Sequence, residues 1–185
     1  MSDVIDSDGF RANVGIVLML GAEVFLGRRT GGGWQFPQGG VRAGEALEQA
    51  LYRELEEEIG VGQSAVDLVG QTERWLRYRL PSRYVRRNQQ PVCIGQKQRW
   101  FLLRLKNADQ PFDFARTDQP EFDKWRWVPY WQPVKEVIYF KRPVYARALT
   151  ELAALAFPRG QSPPLPEGWA PLTARGGSRA PAAAE

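Results

Sequence analysis

The stretch RELEEEIG at residues 53–60 decides how the rest of the chain is interpreted, because it places four glutamates within five positions. Glu54 and Glu58 are like charges at i,i+4, a pair that destabilises a helix by roughly a few tenths of a kcal/mol. With about 100° per residue, Glu57 lies about 60° to one side of Glu54 and Glu58 about 40° to the other. The three carboxylates therefore share one helix face, whereas Glu56 points away from them.

The crowded carboxylates predict bound divalent cations, because a cation neutralises a charge cluster that otherwise costs helix stability. Mg²⁺ takes oxygen ligands, keeps several waters and is commonly shared with substrate phosphates. Arg53 lies on the same side as Glu57, and we expect it to hold Glu45 or Glu57 through a forked pair. The glycines that precede the helix would let a loop approach this site closely.

The segments on both sides of the acidic stretch predict the fold class. A helix is expected to open at Glu45 or Ala46 and to end before Gly60, with leucines recurring at i+4 on its buried side. A last amphipathic helix is expected at Pro143–Ala156. The predicted strands are Asn13–Leu20, Glu23–Arg28, Trp34–Phe36, Leu68–Tyr78, Gln98–Leu105 and Lys124–Val128. Strands before and after one central helix predict an α/β sandwich, in which a mixed sheet packs between helices.

Composition restricts the chemistry that the chain can perform. The 185 residues include no histidine, which excludes a Ser-His-Asp triad, a Cys-His pair and a His-ligated zinc site. Hydrophobic residues make up 43% of the chain and charged residues 25%, as in an ordinary soluble domain. The pI near 9.4 suggests an anionic partner.

Domain boundaries and cellular location follow from the ends of the chain and from its single cysteine. Residues 1–157 are predicted to form one domain, and the Pro/Gly/Ala-rich residues 158–185 a disordered tail. Residues 1–12 lack the pattern of a signal peptide, and no apolar run approaches about 18 residues, so no membrane association is expected. Cys93 has no partner for an intrachain disulfide. A cytoplasmic location is therefore predicted.

A family resemblance rests on the spacing of the acidic helix. Gly39, five residues, Glu45, seven residues and then RELEEEIGV at residues 53–61 match every specified position of the 23-residue Nudix box. The chain resembles the Nudix hydrolases, and its surrounding segments are similar to their proteobacterial RNA pyrophosphohydrolase group. Those segments are GFRANVGIV, GWQFPQGG, ERWLRYRLP, PVCIGQKQRWFLL and PEFDKWRWVPYW. The resemblance implies a Nudix α/β/α sandwich, dependence on Mg²⁺ or Mn²⁺, and release of pyrophosphate or phosphate from 5′-triphosphate or 5′-diphosphate RNA, which promotes RNA decay.

The resemblance also implies roles for individual residues. Glu54, Glu57 and Glu58 would bind the metal ions, one of them also serving as the base toward water, with Arg53 in the catalytic set. Which carboxylate is the base stays open. Gly39 and Glu121 would complete the metal site. The implied substrate-binding residues, expected at the 5′ phosphates or the first bases, are Arg11, Arg28, Gln38, Gln96, Phe140 and Lys141.

A basic segment separates the competing functions. From Arg74 to Lys106 there are ten basic residues, no acidic residue and several interleaved aromatics, a pattern typical of a single-stranded nucleic-acid surface. It favours RNA with a single-stranded 5′-triphosphate end over a dinucleoside polyphosphate such as diadenosine tetra- or pentaphosphate, the nearest alternative substrate. A non-catalytic RNA-binding module is the alternative of another class, and the intact glutamates argue against it. Protein partners are not indicated by the sequence.

Overall fold

One mixed sheet dominates the fold. The structure is a computed structural model that describes residues 4–169 of the chain. Its strands are β1 (Phe10–Leu20), β2 (Glu23–Arg29), β3 (Trp34–Gln35), β4 (Gln38–Gly40), β5 (Val66–Gln71), β6 (Leu76–Arg79), β7 (Gly95–Leu105) and β8 (Phe122–Pro129). β1 and β2, both predicted as strands, form a hairpin around Gly21, with Leu20 paired to Glu23. A single sheet therefore includes strands from both sides of the acidic helix.

The strand order shows why the sheet is mixed. The main path runs β3-β2-β1-β7-β5, while β4 pairs with β1, β6 with β7 and β8 with β2. β1 and β7 are parallel, in register from Phe10 opposite Gly95 to Met19 opposite Arg104. The other pairings are antiparallel. The predicted mixed sheet is confirmed, and its central strands β1 and β7 bring residues about 85 positions apart in the chain into contact.

Two hydrophobic layers cover the two faces of the sheet. Because side chains alternate along a strand, Ile16 and Leu18 of β1 point to one face, and Val17 and Met19 to the other. The first pair packs with the helix α1 (Leu47–Ile59), and the second with α3 (Arg142–Ala156). The predicted α/β/α sandwich is therefore correct. Each buried Leu or Ile contributes roughly 1.5–3 kcal/mol to this packing.

Local signals at both ends fix α1. The Ala46 N–H donates to the Gln49 side-chain oxygen at 2.9 Å, which satisfies one of the free donors at the helix start. At the other end Gly60 adopts a left-handed φ of 70°, and its N–H reaches the Glu56 carbonyl at 3.0 Å. These ends confirm the helix predicted from the leucine spacing, and its acidic face lies against β4.

Several short elements differ from the sequence prediction. The single strand predicted at Leu68–Tyr78 is wrong, because β5 and β6 are separate strands that both pair with β7. Between them Thr72 is buried, and its hydroxyl oxygen accepts a hydrogen bond from the Trp100 N–H at 3.1 Å. At Thr72 the backbone leaves the regular β-sheet pairing with β7, which β6 then resumes. The short elements β4 and α2 (Gln132–Glu136) were not predicted, since neither is long enough to show a hydrophobic period.

Beyond α3 the described chain continues without helix or strand to residue 169. The Trp131 indole N–H donates to the Pro163 carbonyl at 2.9 Å, and the Trp169 ring meets the Trp131 ring edge-on with centroids 6.1 Å apart. The boundary predicted at residue 157 and the disorder predicted for 158–185 stay predictions, and residues 170–185 lie outside the described part. In residues 4–169 no helix is long and apolar enough to cross a membrane.

Candidate active site

The loop that carries β4 lies directly against the acidic face of α1. A Cβ atom added at Gly39 would lie 1.8 Å from the carboxyl carbon of Glu54, so no residue with a side chain fits there without moving Glu54. Burial raises the pKa of the Glu54 carboxyl, and the neighbouring charge of Arg53 opposes that rise. Gly39 therefore lets a backbone strand pass close to a buried carboxylate.

Glu58 is a half-buried carboxylate of the cluster that lines the cavity. Its Oε2 accepts a hydrogen bond from the Gln38 N–H at 2.9 Å. Burial first, and then the negative charge of Glu54, raises the pKa of Glu58 well above its ordinary value, with a further contribution from Glu121. The positive charge of Lys141 opposes this rise in the pKa of Glu58. Additional positive charge close to Glu58, such as a bound cation, would stabilise its ionised form.

Arg53 connects the loop to the helix. Its Nε and Nη2 donate to the two carboxylate oxygens of Glu45 at 2.7 and 2.9 Å, and Nη2 also reaches the Gly40 carbonyl at 2.8 Å. Its Nη1 donates to Glu54 and, at 3.1 Å, to Glu57. The Glu45 contact raises the pKa of Arg53, and the Arg53 contact lowers the pKa of Glu45. The predicted forked pair to Glu45 is present.

Glu57 lies apart from the other two carboxylates. It is about one-third exposed and pairs with Arg53 at 3.1 Å and with Arg42 at 3.2 Å. Glu54 and Glu58 line one cavity, whereas Glu57 faces the adjacent surface beside Arg42. The shared face predicted from helix geometry therefore divides into two carboxylates that line the cavity and a third that lies beside it.

A second acidic group reaches the same cavity from the segment before β8. Glu121 accepts hydrogen bonds from Arg29 at 2.7 Å and from the Gln35 side chain at 3.0 Å. The Gln35 side-chain oxygen in turn accepts from the Lys141 ammonium at 3.2 Å. Burial lowers the pKa of Lys141 to about 8, the charge of Arg29 adds to that effect, and Glu121 and Glu58 oppose it. Gln35 thus links Glu121 to Lys141 by hydrogen bonds, although these two residues lie 20 positions apart in the chain.

These groups enclose a polar cavity of about 360 Å³. Its amide and backbone lining comes from β1, β3, β4 and β7, among them Gln38 and Gln96. Three carboxylates and three cations face it. These are Glu54, Glu58, Glu121, Arg11, Arg29 and Lys141. A cavity with this lining suits a ligand that carries both metal ions and phosphate oxygens.

An aromatic groove of about 550 Å³ continues from the polar cavity. The two share Arg29, Gln35, Gln96 and Lys141, so a single extended ligand could occupy both. The apolar lining of the groove is provided by Trp34, Tyr78, Leu80, Tyr84, Val137, Ile138 and Phe140. Aromatic side chains in a groove beside a charged cavity are suited to stacking on flat bases.

The comparison with known families agrees with the geometry of the site. The model of the NUDIX domain matches residues 9–148, which is more than half of the chain. The chain belongs to the Nudix family. Two similar proteins are named RNA pyrophosphohydrolase: one from Alkalilimnicola ehrlichii, 55% identical over 88% of this chain and 92% of its own, and one from Pseudoalteromonas translucida, 54% identical over 84% and 91%.

A solved structure supports the fold of this Nudix domain independently. The Escherichia coli dihydroneopterin triphosphate pyrophosphohydrolase superposes with a TM-score of 0.60 at 20% sequence identity, covering 75% of this chain and 94% of that one. At this identity the likeness concerns the fold alone. It confirms the Nudix fold that the box predicted.

The structure brings together most of the site residues predicted for a Nudix hydrolase. Gly39, Glu54, Glu58 and Glu121 all line the polar cavity. Among the predicted substrate-binding residues, Arg11, Gln38, Gln96 and Lys141 line the cavity too, and Phe140 lines the groove. Glu57 lies beside the cavity, and Arg53 positions the carboxylates rather than lining it. The roles of these residues stay predictions.

Arg28 is not in the Nudix cavity, and its neighbour takes that place. Arg28 forms a forked pair with Asp123 on the exposed surface, with both distances 2.7 Å, while Arg29 lines both the cavity and the groove. The β2–β8 pairing shifts register between Arg28 and Arg29, so the sequence alone does not show which arginine points inward. Among the residues that line the cavity, sequence reasoning missed Arg29 and Gln35, and also Asn13 and Gly40.

The donor set of the cavity fits a divalent cation. No three Asp, Glu, Cys or His side chains of residues 4–169 are already placed to hold one ion together. Arg53 engages Glu54 and Glu57, and Arg29 engages Glu121, which accounts for that arrangement. Glu58 nevertheless carries a raised pKa because it lies buried near other carboxylates, and Mg²⁺ needs only one or two protein carboxylates beside its waters. A bound cation would relieve that repulsion.

Proposed function

We propose that this chain is a pyrophosphohydrolase that converts 5′-triphosphate RNA ends to 5′-monophosphate ends. The observation that carries the proposal is the continuity between a carboxylate-lined cavity and an aromatic groove, which share four residues. Phosphates of the 5′ end would occupy the cavity while the first bases stack in the groove. The name RNA pyrophosphohydrolase, carried by the two relatives, supports RNA as the substrate. A 5′-diphosphate end would be cut in the same way with release of phosphate.

The carboxylates would hold Mg²⁺ or Mn²⁺ in the cavity. Glu54, Glu58 and Glu121 line it and Glu57 lies next to it. When bound, such an ion activates water and neutralises charge on phosphate oxygens. One of the helix carboxylates accepts the proton of the attacking water, and Arg53 keeps Glu54 and Glu57 oriented for that task.

Three cations would bind the phosphates. Arg11, Arg29 and Lys141 line the cavity together with the carboxylates, and guanidinium groups bind phosphate oxygens in pairs. Phosphoryl transfer requires mainly positioning and charge stabilisation, so the lack of histidine is no obstacle. Removal of pyrophosphate would expose transcripts to monophosphate-dependent nucleases, and we place this role in the cytoplasm.

The experiment compares substrates that differ only in the state of the 5′ end. Stacking is worth about 1.4 kcal/mol per step in DNA, and an aromatic contact returns about 1–3 kcal/mol per base. A blunt hairpin must lose its stacking before its bases enter the groove. We expect fast pyrophosphate release from triphosphorylated RNA with a few unpaired 5′ nucleotides, and slow release from a triphosphorylated blunt hairpin, at equal Mg²⁺. Replacing Mg²⁺ by Mn²⁺ in the same assay identifies the preferred ion.

Diadenosine pentaphosphate and Glu58→Gln complete the design. Faster cleavage of the dinucleotide than of either RNA would make the chain a dinucleoside polyphosphate hydrolase instead. RNA binding without any pyrophosphate release would make it a non-catalytic RNA-binding module. Glu58→Gln is the control that should bind RNA without turnover, which separates contaminating phosphatase activity from that of the protein.

A further inference from the structure

The mouth of the aromatic groove has a rim of exposed side chains. The Arg83 guanidinium lies over the Tyr84 ring at 5.0 Å and over the Tyr139 ring at 5.9 Å. Tyr139 is 52% exposed and Tyr84 42% exposed, so aromatic surface is open to solvent on both sides of Arg83. Both rings also meet Phe140, at 5.3 Å from Tyr84 and 5.4 Å from Tyr139. The rim is therefore continuous with the groove.

The basic segment from Arg74 to Lys106 divides into a neutralised part and a part without acidic partners. Lys97 pairs with Asp6 at 2.8 Å and Arg77 with Asp8 at 3.3 Å. In contrast, no carboxylate in residues 4–169 forms an ion pair with the nearby arginines of the rim side. Those arginines are Arg83, Arg86 and Arg87. The rim therefore carries positive charge that no carboxylate of residues 4–169 neutralises, directly beside the groove.

The acidic residue that lines the groove does not cancel this charge. Glu136 pairs with Arg126, and its second carboxylate oxygen accepts from the Gln132 side chain. Arg126 also lies over the Trp34 ring at 4.1 Å. Glu136 is thus engaged on the α2 side of the groove, and Arg86, which lines the groove as well, has no acidic partner within residues 4–169.

We propose that Arg83, Tyr84 and Tyr139 form a nucleotide-binding rim, which takes the nucleotides of a single-stranded RNA that follow those in the groove. Bases stack on the exposed tyrosine rings, and Arg86 and Arg87 attract the phosphates between them. The inference rests on the proposed function, because the 5′ end must first occupy the cavity. It assigns to this enzyme a site for RNA beyond its reacting end.

The test uses substrate length to isolate the rim. Triphosphorylated dinucleotide and a triphosphorylated single-stranded RNA of about six residues are compared for wild type, Tyr139→Ala and Arg83→Gln. In Tyr139→Ala and Arg83→Gln we expect the ratio of KM for the longer RNA to KM for the dinucleotide to rise about tenfold, because only the longer RNA binds more weakly. Tyr139→Phe keeps the ring and should restore the wild-type ratio.

Arg77→Gln is the matched control for charge. It removes one positive charge from the same basic segment, at a position paired with Asp8 and Asp6. Its length ratio should equal that of wild type. The rim is refuted when Tyr139→Ala keeps the wild-type ratio, or when Arg77→Gln weakens the longer RNA as much as Arg83→Gln does.

Binding measured without turnover separates the rim from the chemistry. Fluorescence anisotropy of the labelled six-residue RNA and of the labelled dinucleotide in EDTA gives Kd values that need no metal or catalysis. Wild-type protein that releases no pyrophosphate from either RNA refutes the proposed function alone. In that case the rim is still supported when Tyr139→Ala raises the ratio of Kd for the six-residue RNA to Kd for the dinucleotide. It is refuted when Tyr139→Ala leaves this ratio at the wild-type value.

Discussion

Arg53 binds the carboxylate of Glu45 through two hydrogen bonds, from Nε to Oε1 at 2.7 Å and from Nη2 to Oε2 at 2.9 Å. Glu45 precedes α1 and Arg53 lies in its second turn, so the pair ties the glycine-containing loop to the acidic helix. The remaining donor of Arg53 reaches Glu54 and Glu57. One guanidinium therefore positions three carboxylates, and the cavity depends on its planar, forked shape.

Arg53→Lys should damage the site although it keeps the charge. A lysine ammonium cannot make the forked pair with Glu45 and also reach Glu54, so a buried carboxylate loses its partner. We expect a loss of about 2 kcal/mol in unfolding free energy and a higher Mg²⁺ concentration for half-maximal activity. Urea unfolding and a Mg²⁺ titration measure the two effects. Arg42→Lys, at a more exposed partner of Glu57, is the control and should change both much less.

Glu58→Gln should strongly reduce kcat and yet stabilise the metal-free protein near neutral pH. The amide oxygen can still accept the Gln38 N–H, while the buried charge is removed. Because the folded pKa of Glu58 is raised, its charge costs stability only above the unfolded pKa of about 4.5, and the cost grows as pH rises. The stability gain of Glu58→Gln over wild type should therefore be clear at about pH 7 in EDTA and vanish at about pH 4.5.

The activity loss in Glu58→Gln is expected to be about a hundredfold or more in kcat, equivalent to about 3 kcal/mol of transition-state stabilisation. Glu56→Gln removes a charge from the exposed side of the same helix and provides the control. Turnover close to wild type in Glu58→Gln at saturating Mg²⁺ would show that Glu58 does not hold the metal.

Gly39→Ala tests the close contact between β4 and α1. The new methyl group would overlap the Glu54 carboxyl, so either the strand or the glutamate must move. Overpacking of this kind costs about 1–3 kcal/mol, and the displaced carboxylate should also lower kcat. Gly62→Ala, where an added Cβ meets no atom within 4 Å, is the matched control. Similar unfolding midpoints for the two variants would contradict the contact.

The helix site could be predicted from sequence because its information is local. The spacing of Gly39, Glu45 and RELEEEIGV fixes which carboxylates approach the loop, and the leucine period fixes which helix side is buried. The forked pair between Arg53 and Glu45 follows from the same local geometry. Each of these relationships lies within one loop and one helix.

The rest of the cavity depends on contacts between distant segments. Arg28 and Arg29 are chemically identical neighbours, and a register shift opposite β8 decides which one enters the cavity. Gln35 is a single residue in a two-residue strand, and only the fold brings it between Glu121 and Lys141. Neither placement leaves a periodic signal in the sequence, so neither could be predicted from it.

Lys141 should make the stability of the metal-free protein depend on pH in the alkaline range. Its pKa falls to about 8 in the folded state, from 10.5. Between these values the unfolded chain binds more protons, so the unfolding free energy rises with pH. Relative to Lys141→Met, wild type should gain about 1–2 kcal/mol between about pH 7.5 and 9.5 in EDTA. A constant difference across that range would show that Lys141 keeps its ordinary pKa.

Truncation tests whether the segment after α3 belongs to the domain. Trp131 donates to the Pro163 carbonyl and packs against Trp169, so a chain ending at Arg159 loses both contacts. The chain ending at Arg159 should have an unfolding free energy about 1–2 kcal/mol lower than a chain ending at Trp169. Its kcat should be unchanged, because neither contact involves a residue of the cavity. Trp131→Phe removes the N–H donor and should shrink the difference between the two lengths. Identical unfolding midpoints for the two lengths, with Trp131 intact, would place the domain boundary at residue 157.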